Sequence, residues 1–155
     1  MSKVFLRSYV VVARPVEEVE VAMIAGAKNW LPDIATEANG NGQKLLSELG
    51  FDVGKRRIRM RIQVEIGAAK VASGLIYMPI RWRAASEAGI FPTLDGELEV
   101  ADLGPARTQL ALSASYEPPL GLIGKLADRA LLHRVAEVTV NDFLARIGQR
   151  LEKAR

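Results

Sequence analysis

Alternation of apolar and polar residues, between Gln43 and Glu117, is the feature that most constrains the fold of this chain. In the clearest segment, residues 57–66, isoleucine, methionine and valine alternate with arginine, glutamine and glutamate. Residues 76–84, 94–100 and 108–116 repeat this period of two. Such alternation predicts antiparallel strands with one buried and one exposed face. Pro79 cannot donate a ladder hydrogen bond, so an edge, bulge or irregularity is expected there.

Helical segments flank these strands. Residues 3–13, rich in Val, Phe and Tyr, predict a first strand. Pro15 then opens a helical segment that is expected to run to about Lys28, with two glutamates in its first turn. The Trp-Leu-Pro sequence at 30–32 predicts a break, followed by a short second helix and a loop at 37–42.

A long helix is predicted at the end of the chain, because no helix breaker occurs between Leu120 and Lys153. A sheet with one apolar face must cover it, and this helix is the only large partner available. The sequence therefore predicts a single α+β domain over residues 1–155. In it, a curved antiparallel sheet wraps around the long C-terminal helix, and one or two short helices follow the first strand.

The long helix carries two apolar stripes. Successive residues are separated by about 100° around the axis, which places one stripe at Ala136, Val140, Phe143, Leu144, Ile147 and Leu151. Extended toward the N-terminus, this inner stripe includes Leu122, Lys125, Leu126, Arg129, Leu132 and His133. The second stripe, Ala127, Leu131, Val135 and Val138, is expected to lie under another element of the chain or in a contact between two copies.

Composition narrows the chemistry. The 155 residues include no cysteine and one histidine, so thiolate sites and sites with two imidazoles are excluded, and no metal or cofactor is expected. Lys and Arg total 21 against 18 Asp and Glu, a formal charge of +3 that does not by itself indicate nucleic-acid binding. Without an export signal or a long apolar segment, we expect a cytoplasmic protein with no integral membrane segment.

A basic run at 55–61 offers a nucleic-acid interpretation. Asp95, Glu97 and Glu99 are expected on the same outer face of the sheet, however. Cross-strand ion pairing then explains the basic residues without a ligand. We therefore expect no nucleic-acid partner.

Several segments resemble a known superfamily. These are 116–121 (YEPPLG), 128–129 (DR) and 132–137 (LHRVAE), together with 78–82 (MPIRW) and 91–94 (FPTL). With the order of elements, they resemble the START-like superfamily. This helix-grip or SRPBCC group includes polyketide cyclase-like proteins and the birch-pollen-allergen fold, and 78–82 and 91–94 resemble a bacterial subgroup of it. The resemblance implies a cavity between sheet and long helix that binds a lipid, sterol, polyketide or aromatic metabolite. No catalytic motif carries over.

The residues agree with such a cavity, because apolar walls with a few polar points are typical of small-molecule pockets. We expect nine residues to contact the ligand: Met60, Met78, Trp82, Leu112, Tyr116, Arg129, Leu132, His133 and Ala136. Arg129 and His133 are expected to orient a carboxylate, carbonyl or hydroxyl group. The favoured function is non-catalytic binding or carriage of a hydrophobic small molecule. The alternatives are a polyketide cyclase or dehydratase acting in the same cavity, and an interaction module that uses the second stripe.

Overall fold

A computed structural model describes residues 3–50, 60–84, 92–117 and 129–153. Within them the chain forms six strands and two helices. Their bounds are β1 Val4–Val12, α1 Val16–Glu48, β2 Ile62–Ile66, β3 Lys70–Ala72, β4 Leu75–Ala84, β5 Thr93–Asp102, β6 Thr108–Glu117 and α2 Arg129–Lys153. Of the strand segments predicted from alternation, 76–84, 94–100 and 108–116 lie in strands. In the segment 57–66 the strand begins only at Ile62, residues 60–61 precede it, and residues 57–59 lie outside the described ranges.

The six strands form one antiparallel sheet in the order β1-β6-β5-β4-β2, with β3 paired beside β4. Inward-facing residues of the sheet pack with α1 and α2 in one large core. The inner stripe predicted for the long helix is buried from Ala136 to Leu151. The predicted α+β fold, an antiparallel sheet with a long C-terminal helix, is confirmed for the described residues. The part of that helix predicted at 120–128 lies outside them.

Pro79 marks an irregularity in β4, as predicted. On one side β4 pairs with β5 throughout, and Pro79 lies opposite Glu97. On the other side β2 ends at Ile66 and β3 begins at Lys70. The carbonyl of Pro79 accepts a hydrogen bond from the Gly67 N–H at 2.8 Å. Pro79 has no N–H to donate, and it lies opposite the segment between β2 and β3, where the regular pairing is interrupted. Strands tolerate proline at such positions.

α1 differs from the prediction, because it continues through both expected breaks. Pro32 lies inside this helix of 33 residues, and the segment 37–42 is helical rather than a loop. Thr36 stabilises the turn after Pro32, since its hydroxyl donates to the Pro32 carbonyl at 2.9 Å and accepts the Ile62 N–H at 2.9 Å. Proline, asparagine and glycine favour breaks and loops, but tertiary packing buries one face of this segment and keeps it helical.

Part of the second stripe of α2 lies under α1, which is one of the two positions expected for it; Leu131 and Val138 are half-buried, and Ala127 lies outside the described residues. Val135 is buried in a small cluster with Leu46 of α1 and Leu132. Gly42 brings the helices close together, because a Cβ at this position would overlap the Thr139 hydroxyl. This glycine therefore allows close helix packing, although the sequence suggested a loop.

The outer face of the sheet carries the expected cross-strand ion pairs. Arg81 faces Asp95 at 3.5 Å, Arg83 faces Glu65 at 3.6 Å, and Arg7 faces Glu99 at 3.1 Å. These pairs are largely exposed, so each contributes little to stability. No helix in the described part of the chain combines the length and apolar character that a membrane crossing requires.

Candidate functional site

Four buried side chains with polar atoms lie where the sheet faces the C-terminal half of α1. Asn39 and Gln43 come from successive turns of α1, Trp82 from the end of β4 and Tyr116 from the end of β6. Trp82 and Tyr116 both align with Leu94 of the strand between them. Each of the four is at most 1% exposed. We refer to Asn39, Gln43, Trp82 and Tyr116 as the polar cluster.

One hydrogen bond organises the polar cluster. The Tyr116 hydroxyl donates to Asn39 Oδ1 at 3.1 Å. Burial raises the pKa of Tyr116 well above its usual value, and a hydrogen bond with Thr139 opposes this only in part. The phenol therefore stays protonated and serves as a fixed donor. By holding Oδ1, it also fixes the orientation of the Asn39 amide.

Four polar atoms of the cluster are buried without a hydrogen-bond partner in the described structure. They are Asn39 Nδ2, Gln43 Oε1, Gln43 Nε2 and Trp82 Nε1. A buried polar group without a partner costs about 1–3 kcal/mol. Most buried polar groups in proteins are paired, so such a concentration at one place requires an explanation.

Aromatic rings form the apolar wall beside these atoms. Trp82 and Tyr116 meet edge to face, with ring centroids 5.8 Å apart and planes at 88°. On its other side Trp82 contacts Phe143 of α2, with centroids 4.7 Å apart and planes at 80°. Such contacts hold the indole in one orientation and fix the direction of its N–H.

The structure brings together part of the predicted ligand-binding set. Trp82, Tyr116, Leu112 and Ala136 all belong to the main core, and none is more than 1% exposed. The described side chains therefore fill the space around these four residues. Met78 of β4 belongs to the same core and is 6% exposed. Leu132 lies in the small cluster with α1, and Met60 is half-buried before β2.

Arg129 and His133 do not face the interior as expected. Both are exposed, and His133 Nε2 lies 2.6 Å from the Glu137 carboxylate, one turn along α2. In these first turns the buried positions are Leu132, Val135, Ala136 and Thr139. The face that is buried in these turns points more toward α1 than the predicted one, so Arg129 and His133 lie at its edge. Their role as ligand contacts stays a prediction.

From the sequence, Asn39 was missed because a loop is predicted at 37–42, and Gln43 was missed because it is placed at the start of the alternating segment; both lie in α1. A helical signal was present nevertheless. Small and apolar residues recur through this segment at helical spacing: Leu31, Ala35, Ala38, Gly42 and Leu46, all of them buried. Continuing that periodicity places both amides beside the buried face.

Open space occurs elsewhere along the interior. A cleft of about 600 Å³ lies between the first half of α1 and the β2–β4 corner, with Met23, Met78, Ile66 and Gly67 among its lining residues. We refer to it as the methionine cleft. A second cleft of about 500 Å³ lies between the two helices, where Arg146 pairs with Glu37 and Asp142. Among the described residues, no three His, Asp or Glu side chains form a group that could hold a metal ion.

Comparison with known proteins identifies the fold. No protein-family model and no curated protein matches the chain. A conserved protein from Geobacillus kaustophilus matches in structure with a TM-score of 0.53 at 16% identity, over 95% of this chain and 94% of that one. The chain has the helix-grip fold. The resemblance stated from sequence is therefore confirmed at the level of the fold.

Other helix-grip structures are similar to a lesser degree. The Zhui aromatase/cyclase from Streptomyces sp. R1128 matches with a TM-score of 0.49 at 18% identity, over 97% of this chain and 94% of that one. The di-domain aromatase/cyclase BexL from the BE-7585A biosynthetic pathway matches with a TM-score of 0.44 at 12% identity, over 99% of this chain and 51% of that one. A shared fold does not assign an activity, so function has to be argued from the site.

Proposed function

We propose that this chain binds a hydrophobic small molecule at the polar cluster, where the sheet faces α1 and where Phe143 of the C-terminal helix contacts Trp82. The observation that carries the proposal is the group of four unpartnered polar atoms beside an aromatic wall. Ligand sites combine apolar surface, which supplies affinity, with a few fixed polar groups, which orient the ligand. The polar cluster has both components.

Binding at this place requires local opening, because the polar cluster is almost fully buried. The free energy of opening is offset when ligand atoms satisfy buried groups that cost about 1–3 kcal/mol each while unpartnered. Apolar contact adds about 25 cal/mol for each Å² removed from water. We therefore expect binding to displace side chains around Trp82 and Tyr116.

Binding is favoured over catalysis by the chemistry of the interior. Tyr116 is the only titratable side chain that the described structure buries there. Because burial raises its pKa, the phenol is a poor proton donor near neutral pH. It is suited to hold a neighbouring group by a hydrogen bond, which is a positioning role.

The experiment uses the chain's two tryptophans, Trp30 and Trp82. Trp30→Phe leaves Trp82 as the sole indole, so NMR of nitrogen-labelled protein reports the Trp82 N–H directly. We expect this signal to shift when β-naphthol is added. Native mass spectrometry of freshly purified protein should also show a co-purified small molecule.

Trp82→Phe provides the matched comparison, because it removes the unpartnered N–H and keeps an aromatic ring. We expect it to weaken β-naphthol binding about tenfold, the equivalent of one hydrogen bond, whereas Trp30→Phe leaves the affinity unchanged. The parent hydrocarbon of β-naphthol, naphthalene, serves as a second probe. If neither compound binds the wild-type chain, or if both bind but shift only the indole N–H signal of Trp30, the proposed function is wrong.

A further inference from the structure

We infer that the ligand is a neutral molecule bearing a hydroxyl group, and that Asn39 and Gln43 of α1 select it over carboxylates. This inference rests on the proposed function. It assigns to the two amides a specificity-determining role. It also differs from the expectation that Arg129 and His133 orient a carboxylate.

The unpartnered atoms define what the ligand must offer. Asn39 Nδ2, Gln43 Nε2 and Trp82 Nε1 are donors, and Gln43 Oε1 is an acceptor. A carbonyl oxygen satisfies donors only. A hydroxyl group satisfies both kinds, because it accepts hydrogen bonds through its oxygen and donates one proton. A carboxylate only accepts, so it would leave Gln43 Oε1 without a partner.

The buried polar side chains of the described structure carry no charge, which also argues against a carboxylate ligand. The buried polar residues of the described structure are Asn39, Gln43, Thr108 and Thr139, all of them uncharged. Tyr116 is also neutral, since burial raises its pKa. The basic residues of the neighbouring helix end, Arg129 and His133, are exposed. An anion buried here would have no opposite charge beside it, and an unpaired buried charge is strongly unfavourable.

The orientation of the amides supports a selective role. Asn39 Oδ1 is occupied by the Tyr116 hydroxyl at 3.1 Å, so its Nδ2 is the atom left to bind a ligand. Gln43 follows one turn later on α1, which places the two amides on the same side of the helix. Together they place two donors and one acceptor without a partner on the side of α1 from which Asn39 contacts Tyr116.

The test compares three compounds of one ring system: naphthalene, β-naphthol and β-naphthoic acid, which is ionised near pH 7. By calorimetry or NMR titration we expect the wild-type chain to bind β-naphthol at least about tenfold more tightly than either of the others. Gln43→Met replaces the amide with an apolar chain of similar length. It should abolish the preference for β-naphthol over naphthalene and leave naphthalene binding unchanged.

Thr108→Val is the matched control. Thr108 is also buried, but its hydroxyl donates to the Arg14 carbonyl at the opposite end of β6. We expect this variant to be less stable and to keep the wild-type preference. A change in stability alone therefore cannot produce the result expected for Gln43→Met.

The outcomes separate the two proposals. If the compounds bind but β-naphthoate binds as tightly as β-naphthol, the inference is wrong and the proposed function stands. The inference is also wrong if Gln43→Met leaves the preference intact, as it would if the amide held only a buried water. If none of the compounds binds the wild-type chain, the proposed function fails, and the inference fails with it.

Discussion

The two ends of the interior differ in what they offer a ligand. The end that contains the polar cluster has oriented donors, an acceptor and an aromatic wall, but its side chains are almost fully buried. The end that contains the methionine cleft has about 600 Å³ of space, with Met23 and Met78 in its lining. One end therefore has recognition chemistry without open space, and the other has open space with little recognition chemistry. Cavity volume alone would select the methionine cleft rather than the proposed site at the polar cluster.

The difference follows from how each end is built. At the polar cluster, α1 and α2 approach closely because Gly42 lies against Thr139. At the methionine cleft, the chain leaves the sheet between β2 and β3 after the Gly67 N–H has bonded to the Pro79 carbonyl, and a Cβ at Gly67 would lie 3.0 Å from the Pro79 ring. Close helix packing fills the first end, and an interrupted strand leaves the second open.

The largest expected effect is a loss of stability when a buried side chain is truncated to alanine, and it should differ between the two ends. Leu94 lies between Trp82 and Tyr116 and has no exposed surface, whereas Met78 borders the methionine cleft. Leu94→Ala should lower the free energy of unfolding by about 4 kcal/mol, because the cavity it leaves cannot collapse. Met78→Ala should cost about 2 kcal/mol, since water and neighbouring groups can enter. Denaturant unfolding measures both, and equal losses would remove the distinction between the ends.

Glycine-to-alanine substitutions in α1 provide a second comparison. In Gly42→Ala the new Cβ would overlap Thr139, so we expect a loss of about 1–3 kcal/mol. In Gly26→Ala the new Cβ would lie 3.8 Å from Trp30 Nε1, an ordinary van der Waals distance. This variant should gain about 0.5–1 kcal/mol from helix propensity.

Thr139→Ala in the Gly42→Ala background should recover part of the loss, because it removes the overlapping hydroxyl. Thermal unfolding of the two single variants and of this double variant tests the helix contact. A stabilising Gly42→Ala would contradict close packing at the polar end.

Alkaline pH gives a smaller effect that only the polar end should show. An unfolded tyrosine titrates near pH 10, and burial raises the pKa of Tyr116 above this value. Above about pH 10 the folded state therefore holds a proton that the unfolded state has lost. The free energy of unfolding should then fall by about 1.4 kcal/mol per pH unit from this group, while below pH 10 the contribution is constant.

Tyr116→Phe removes this component of the slope. At neutral pH it should cost about 1–2 kcal/mol, because Asn39 Oδ1 loses its donor. Tyr77→Phe, on the outer side of β4, should keep the alkaline slope. Denaturant unfolding at several pH values tests both variants, and a Tyr116→Phe protein with the wild-type slope would contradict a buried neutral phenol.

Periodicity predicted the parts of the fold that one element determines by itself. The strands and the inner stripe from Ala136 to Leu151 were predicted because the spacing of apolar residues within each segment shows which of its faces is buried. The continuous α1 was not, since Pro32 and the Asn- and Gly-rich segment are local signals that contacts with other elements override. Asn39 and Gln43 were missed for the same reason.

The candidate site was predicted in part, through Trp82 and Tyr116. Both follow from strand alternation, which places them on the inner face of the sheet. The exposure of Arg129 and His133 could not be predicted, because it depends on where α1 lies against α2. A helical wheel gives angles around one helix and does not show which sector a second helix covers.

The smallest expected effect concerns the exposed margin of the polar end. His133 and Glu137 form a half-exposed pair one turn apart on α2, and such pairs contribute less than about 0.5 kcal/mol. His133→Gln should therefore leave both stability and β-naphthol affinity nearly unchanged, as measured by thermal unfolding and NMR titration. A tenfold loss of affinity with unchanged stability would instead make His133 a ligand contact, as the sequence suggested. Recognition would then extend from the buried amides to the first turns of α2.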